Sequence, residues 1–215
     1  MFDVSGLTGG SLRSSTVTFN ITLCFARGTR IATPWGETLV EGLKIGDVLR
    51  TPDGREVDIK WIGTRTMVPM FNPADRLEPV VIRKGALGEN VPHSDLVVTA
   101  DHGMIIDGMV INASALVNGR DIHFLEYRAL GRAIEYFHIE TENHDAILAN
   151  GAASETYLDI PGRQFFDNHA QYTALYGPET AITEMKTPRI TSAQMLPQTL
   201  RDRFGIQDDA VQIAI

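Results

Sequence analysis

Apolar positions in this chain come in short runs, and turn residues close nearly every one. Val17, Phe19, Ile21 and Leu23 alternate with Thr18, Asn20 and Thr22, the period of a strand, and that strand runs straight into Cys24. Ile31-Ala32-Thr33 follows and is closed by Pro34-Trp35-Gly36, where proline sets φ and glycine permits the left-handed region. Residues 39–43 read as a resumed strand, as do 48–51 and 57–62, the latter two joined by a Pro52-Asp53-Gly54 hairpin signal. Val80-Val81-Ile82 and Leu96-Val97-Val98-Thr99 are compact strands around a Gly/Pro-rich loop at 84–94. Residues 104–106 and 109–111 flank Asp107-Gly108, and a helical turn is expected at 113–117. Residues 134–139 and 146–149 read as a pair of strands around Asn143-His144-Asp145, and Asn150-Gly151 turns into 154–158.

Strands this short and evenly spaced predict an all-β fold rather than βαβ units. The stretch 67–79, broken by Pro69, Pro73 and Pro79, is expected to be irregular. Beyond Pro161-Gly162 the pattern changes, and residues 168–176 and 192–204 are expected to be short helices. The expected organisation is a Ser/Thr/Gly-rich arm over 1–22, one β domain over 23–160, and a partly helical tail over 161–215 packed on that domain. A loose internal repeat runs through the domain. Gly36, Val40, Leu43 and Gly46-Asp47-Val48 match Gly108, Ile111, Leu116 and Gly119-Arg120-Asp121-Ile122 in order, which predicts two pseudo-equivalent β subdomains.

Composition narrows the function classes. A formal charge of −8 and the absence of a basic stripe argue against a nucleic-acid partner. No run approaches the roughly 20 apolar residues of a membrane-spanning helix. Residues 1–23 lack a basic stretch followed by an apolar one, so no cleavable secretory signal is expected. Six histidines beside a single cysteine do not make a Cys-rich zinc site, and neither a metal nor another cofactor is expected. His93 and His123 read as surface histidines.

That single cysteine, Cys24, is either a small buried hydrophobe or a nucleophile. As a nucleophile it would attack the carbonyl of Leu23, turning the Leu23–Cys24 amide into a thioester. The step requires an imidazole near the departing nitrogen and hydrogen-bond donors for the developing oxyanion. Thr99-Ala100-Asp101-His102 offers a hydroxyl and an imidazole three residues apart, where one turn can aim both at one peptide bond.

Here the sequence resembles a known family. The block Cys24-Phe25-x-x-Gly28-Thr29-x-Ile31-x-Thr33-Pro34-x-Gly36, followed by Val40-Glu41-x-Leu43-x-x-Gly46-Asp47, is similar to the start of the Hint superfamily of hedgehog and intein self-processing domains. Trp61-Ile62-Gly63-x-Arg65, Gly85-Ala86-Leu87-Gly88, Ala115-Leu116-Val117-Asn118-Gly119, Tyr136-x-His138-Ile139 and His144-Asp145-x-Ile147-Leu148-Ala149 resemble its bacterial intein-like branch. The resemblance spans about residues 22–160 and implies a flattened pseudo-twofold horseshoe of β strands. It implies that Cys24 performs an N–S acyl shift assisted by Thr99 and His102, and that His144 is the late-block histidine. From their own positions, Asp101 reads as a cap of the turn or a support for His102, and His138, between Phe137 and Ile139, as a core or supporting group.

Some family features are absent. Splicing needs a terminal His-Asn pair, and Ser154-Glu155 stands there instead; Asn150-Gly151 falls too early and reads as a hairpin. Phe137 replaces the aspartate that inteins carry after the late-block tyrosine, and Thr156 stands where hedgehog proteins place a cysteine. The resemblance therefore implies autocatalytic cleavage at Leu23–Cys24 without splicing, by water or a small nucleophile, and no partner for the intramolecular step. The alternative is a Hint-shaped binding or structural module whose chemistry is silent. The expected setting is bacterial, in the cytoplasm or exported without a cleavable signal.

Overall fold

The computed structural model describes residues 23–68, 78–126, 133–158 and 162–207. The arm at 1–22 and most of the irregular stretch expected at 67–79 lie outside the described residues. Among the described residues fifteen strands are formed: β1 (Phe25–Ala26), β2 (Arg30–Thr33), β3 (Gly36–Leu39), β4 (Val48–Arg50), β5 (Glu56–Asp58), β6 (Trp61–Met67), β7 (Val80–Ile82), β8 (Leu96–Val98), β9 (Gly103–Ile106), β10 (Met109–Asn112), β11 (Ile122–Phe124), β12 (Ile134–Glu140), β13 (Ala146–Ala149), β14 (Ala152–Glu155) and β15 (Arg189–Ile190). Two helices, α1 (His169–Tyr176) and α2 (Gln198–Phe204), belong to the segment after residue 161. The fold is all-β with a short helical tail.

Six strands form one sheet in the order β11-β7-β8-β1-β12-β6. Seven form a second, β15-β10-β9-β14-β13-β2-β3, and β4 pairs with β5 as a separate ribbon. Local turn chemistry accounts for the hairpins. Asp107 (φ +48°) with Gly108 (φ +74°), and Asn150 (φ +47°) with Gly151 (φ +79°), place two successive residues in the left-handed region, as a two-residue hairpin turn with the twist of its strands requires. The repeat is visible in the second sheet. The hairpins β2–β3 and β9–β10 flank the central hairpin β13–β14, and each runs into a 3-10 turn, at Val40–Gly42 and Ala113–Leu116.

Several expectations are corrected. The run at 39–43 is not a strand: β3 ends at Leu39 and the 3-10 turn takes over. Residues 57–62 divide between β5 and β6, because Ile59 N–H turns back to the Asp47 carbonyl. The runs 134–139 and 146–149 do not pair with each other. β12 pairs with β1 and β6, whereas β13 pairs with β14 and β2 in the other sheet. The strand expected over 154–158 ends at Glu155, and the helix expected over 192–204 is a 3-10 turn and then α2, with Pro197 capping the latter.

The short apolar runs are buried, several of them continuously, as in β7. Ile31, Leu49, Leu96, Met104, Ile111 and Ile147 meet in a large core that Leu200 and Phe204 of α2 join. A second cluster gathers Cys24, Ala26, Trp61, Tyr136 and Tyr157 with Phe166 and Tyr172 from the tail. No helix of the described residues is long and apolar enough to cross a membrane.

Candidate functional site

Cys24 sits immediately before β1 and is fully buried. Pairing of Phe25 with Val98 lays β1 against β8, and this register brings Thr99 beside the cysteine's backbone. Two hydrogen bonds result. Cys24 N–H donates to Thr99 Oγ1 at 2.9 Å, and Thr99 N–H donates to the Cys24 carbonyl at 3.0 Å. The nitrogen that Thr99 engages belongs to the Leu23–Cys24 peptide bond.

His102 closes the same turn, its N–H donating to the Thr99 carbonyl at 3.1 Å. Its ring lies 4.3 Å from that of Phe25, centroid to centroid, and neither ring nitrogen has a hydrogen-bond partner. Burial pushes the imidazole down to about 4, with the Glu155 charge opposing and the Arg189 charge reinforcing the shift. The resting ring is neutral near pH 7. His138, on β12, is likewise buried with both nitrogens unpartnered, packed 4.7 Å from the Tyr157 ring, and burial pushes it well below its ordinary value. Buried polar atoms without partners are uncommon, and here four of them stand on these two histidines.

His144 is held at both nitrogens. Nδ1 accepts Met185 N–H at 3.1 Å, so the ring proton sits on Nε2, which faces Glu155 Oε2 at 3.1 Å. Asp101 lies on the exposed side of the turn, where its carboxylate accepts from Asn112 Nδ2 at 3.1 Å. Thr156 binds backbone rather than a reacting group: its hydroxyl donates to the Asp145 carbonyl at 2.9 Å and accepts Asp145 N–H at 3.0 Å. Of the two expected surface histidines, His93 is half-buried against Glu37, with Nε2 2.6 Å from its carboxylate. His123 is half-buried as well, with Nδ1 unpartnered. Among the described residues, no group of three or more His, Cys, Asp or Glu side chains is arranged to hold a metal ion.

The sequence model of the Hint domain matches residues 23–161. The chain belongs to the Hint family. As a Hint domain it is an autoprocessing unit that acts within its own chain. Solved structures similar to it include the bacterial intein-like domain of Clostridium thermocellum, with 17% identity, a TM-score of 0.47, and coverage of 62% of this chain and 98% of that one. A DnaB intein from Synechocystis sp. PCC 6803 gives 9% identity and a TM-score of 0.44 over 64% of this chain and 100% of that one. The MchDnaB-1 intein gives 17% and 0.43 over 60% and 98%. No curated protein sequence matches the chain.

In this Hint domain the structure brings Cys24 and Thr99 into contact and places His102 in the Thr99 turn. His144 is linked to the end of that turn only through Glu155, whose other oxygen accepts Gly103 N–H, and Asp101 is exposed. Sequence reasoning did not single out Glu155 or Arg189. Glu155 is a fully buried carboxylate, and Arg189 lies beyond the matched region. It also missed Glu140 and Arg163, a buried pair with Nε–Oε2 at 2.7 Å whose guanidinium is sandwiched by the Tyr157 and Tyr172 rings. The one available signal was an acidic residue at an inward position of a short strand, a weak mark without a known partner.

Proposed function

We propose that this chain cleaves itself at the Leu23–Cys24 bond through an N–S acyl shift. The observation that carries the reading is the contact of the Thr99 hydroxyl with the nitrogen of that peptide bond. Cys24 Sγ adds to the Leu23 carbonyl carbon, the C–N bond breaks, and Leu23 is left as a thioester on sulfur while the Cys24 nitrogen becomes an amine. The reaction needs no outside proton, because the one lost by the thiol ends on the amine. A buried His102 that rests neutral suits this transfer, taking the thiol proton and delivering it to the nitrogen. Water or a small nucleophile then attacks the thioester, releasing the segment that ends at Leu23 and regenerating the thiol. His138, unpartnered and buried, is the nearby candidate for assisting that second step.

Splicing is not part of this reading. Glu155 stands where the cyclising asparagine would be needed, and its carboxylate is engaged by Gly103, His144 and Arg189. The silent-module alternative draws on the complete burial of Cys24 under Phe166 and Tyr172.

Mass spectrometry separates the two. Purified chain is incubated with and without hydroxylamine or dithiothreitol, next to Cys24→Ala. Cleavage at Leu23–Cys24 in the parent alone, accelerated by hydroxylamine, is expected. A parent that stays intact through long incubation between about pH 6 and 9, the range in which a thiol and an imidazole titrate, sinks the processing reading.

A further inference from the structure

Glu155 gathers groups from three separate stretches of chain. Pairing of Ser154 with Met104 sets the end of β14 beside the start of β9, and Glu155 Oε1 there accepts Gly103 N–H at 2.6 Å. Oε2 faces His144 Nε2 at 3.1 Å. Arg189 donates to both oxygens, Nη1 to Oε1 at 3.2 Å and Nη2 to Oε2 at 2.5 Å. The fit around Gly103 is tight: a β-carbon at that position would lie 2.3 Å from Oε1. Gly103 follows His102 directly, so whatever holds Glu155 also holds the end of the His102 turn.

Arg189 comes from outside the matched region of 23–161. Its strand β15 runs parallel to β10, with Arg189 opposite Val110, and this pairing fixes where the guanidinium enters. The same stretch provides Met185 N–H to His144 Nδ1. With His144 neutral through that bond, Arg189 is the cation that offsets the buried carboxylate among the described residues. A buried carboxylate stripped of its cation is strongly destabilising and regains neutrality by taking a proton. Protonation of Glu155 would turn one acceptor oxygen into a donor, against either Gly103 N–H or His144 Nε2–H. Protonation of His144 instead would set two N–H groups against each other at Met185. Either event loosens the tie between His144 and the His102 turn.

We infer that Arg189 is a positioning residue of the self-processing site: the tail strand delivers the charge that keeps Glu155 bridging the His102 turn and the His144 ring. The inference rests on the reading of Cys24, Thr99 and His102 given above.

The test uses the full chain and a double-mutant cycle with Glu155→Gln. In the parent background, Arg189→Met is expected to lower Tm by roughly 10 °C, the scale of a broken buried ion pair in a domain of this size. In the Glu155→Gln background the same substitution is expected to cost less than half as much. Equal losses in both backgrounds overturn the inference. Failure of Arg189→Met to fold while the double variant folds supports it, and failure of both overturns it.

Nitrogen-15 NMR of the imidazoles gives a readout that structural weakening does not mimic. The parent and Arg189→Lys are expected to show His144 neutral with its proton on Nε2, and Arg189→Met to lose that signature; its retention in Arg189→Met overturns the inference. Where the parent cleaves, Arg189→Met is expected to slow cleavage by about tenfold or more, with Arg189→Lys recovering most of the rate. A parent that does not cleave defeats the processing reading alone, and the cycle and the NMR signature still decide the role of Arg189.

Discussion

The ring of Phe166 rests on the bare α-carbon of Gly63: a β-carbon there would lie 2.7 Å from Cδ1. Gly63 belongs to β6, opposite His138 on β12, and Phe166 belongs to the tail. Phe166 also packs in the cluster that buries Cys24. Gly63→Ala is therefore expected to displace the ring and cost about 1–3 kcal/mol, the usual penalty of overpacking. Urea unfolding measures the loss. Labelling of Cys24 by a thiol reagent under native conditions should be faster in the variant, and unchanged labelling would show that Phe166 does not help shield the sulfur.

Thr99 can be tested without altering the nucleophile. Thr99→Val keeps the shape but leaves the Cys24 N–H buried without its acceptor, an expected cost of about 1–3 kcal/mol. Thr99→Ser keeps the hydroxyl and is expected to remain within about 1 kcal/mol of the parent, losing only the burial of one methyl. If Thr99 orients the scissile bond, cleavage at Leu23–Cys24 should collapse in the valine variant and persist in the serine variant. Equal rates in the two would remove Thr99 from the mechanism.

Two buried groups make stability pH-dependent in different windows. His102 titrates at about 4 in the fold against an ordinary 6.5, so between these values the unfolded chain binds a proton that the folded chain refuses. Stability from this group is complete above 6.5, falls as pH drops, and levels off below about 4, a loss of about 3 kcal/mol. For Glu155, burial alone would raise the carboxyl, but hydrogen bonds from His144 and Arg189 outweigh it and hold the group at about 2 against 4.5. Its contribution is present above 4.5 and disappears as pH falls toward 2. Urea melts at about pH 7 and pH 4 should therefore show a smaller drop in His102→Gln than in the parent, and an identical drop would refute the assignment.

Asn150-Gly151 is a chemically labile pair in an unfolded chain, yet it is expected to be inert here. Asn150 Oδ1 accepts Arg30 N–H at 2.7 Å, and its Nδ2 donates to the Asp95 carbonyl at 2.9 Å. Cyclisation requires that side-chain carbonyl to turn toward the Gly151 nitrogen, which breaks both bonds. Peptide mapping after prolonged native incubation should find Asn150 intact, with deamidation or cleavage appearing only once the chain is unfolded.

What the sequence alone determined is what short-range chemistry specifies. Asp107-Gly108 and Asn150-Gly151 fold as hairpins because their own backbones admit the left-handed region. The short apolar runs around them form strands that the core buries. The ordered motifs from Cys24 to His144 marked the family, and Thr99 and His102 were legible as a pair because only two residues of one turn separate them. The tertiary structure decided which strand lies beside which. It sent β12 and β13 to different sheets although they read as a pair, and it joined Thr99 to Cys24 across 75 residues. It also drew Glu155, His144, Gly103 and Arg189 to one point. No local pattern records such a meeting, because a buried charge is tolerated only where distant segments deliver its partners. The carboxylate on β14 and the guanidinium on β15 acquire their roles together, when the sheet closes.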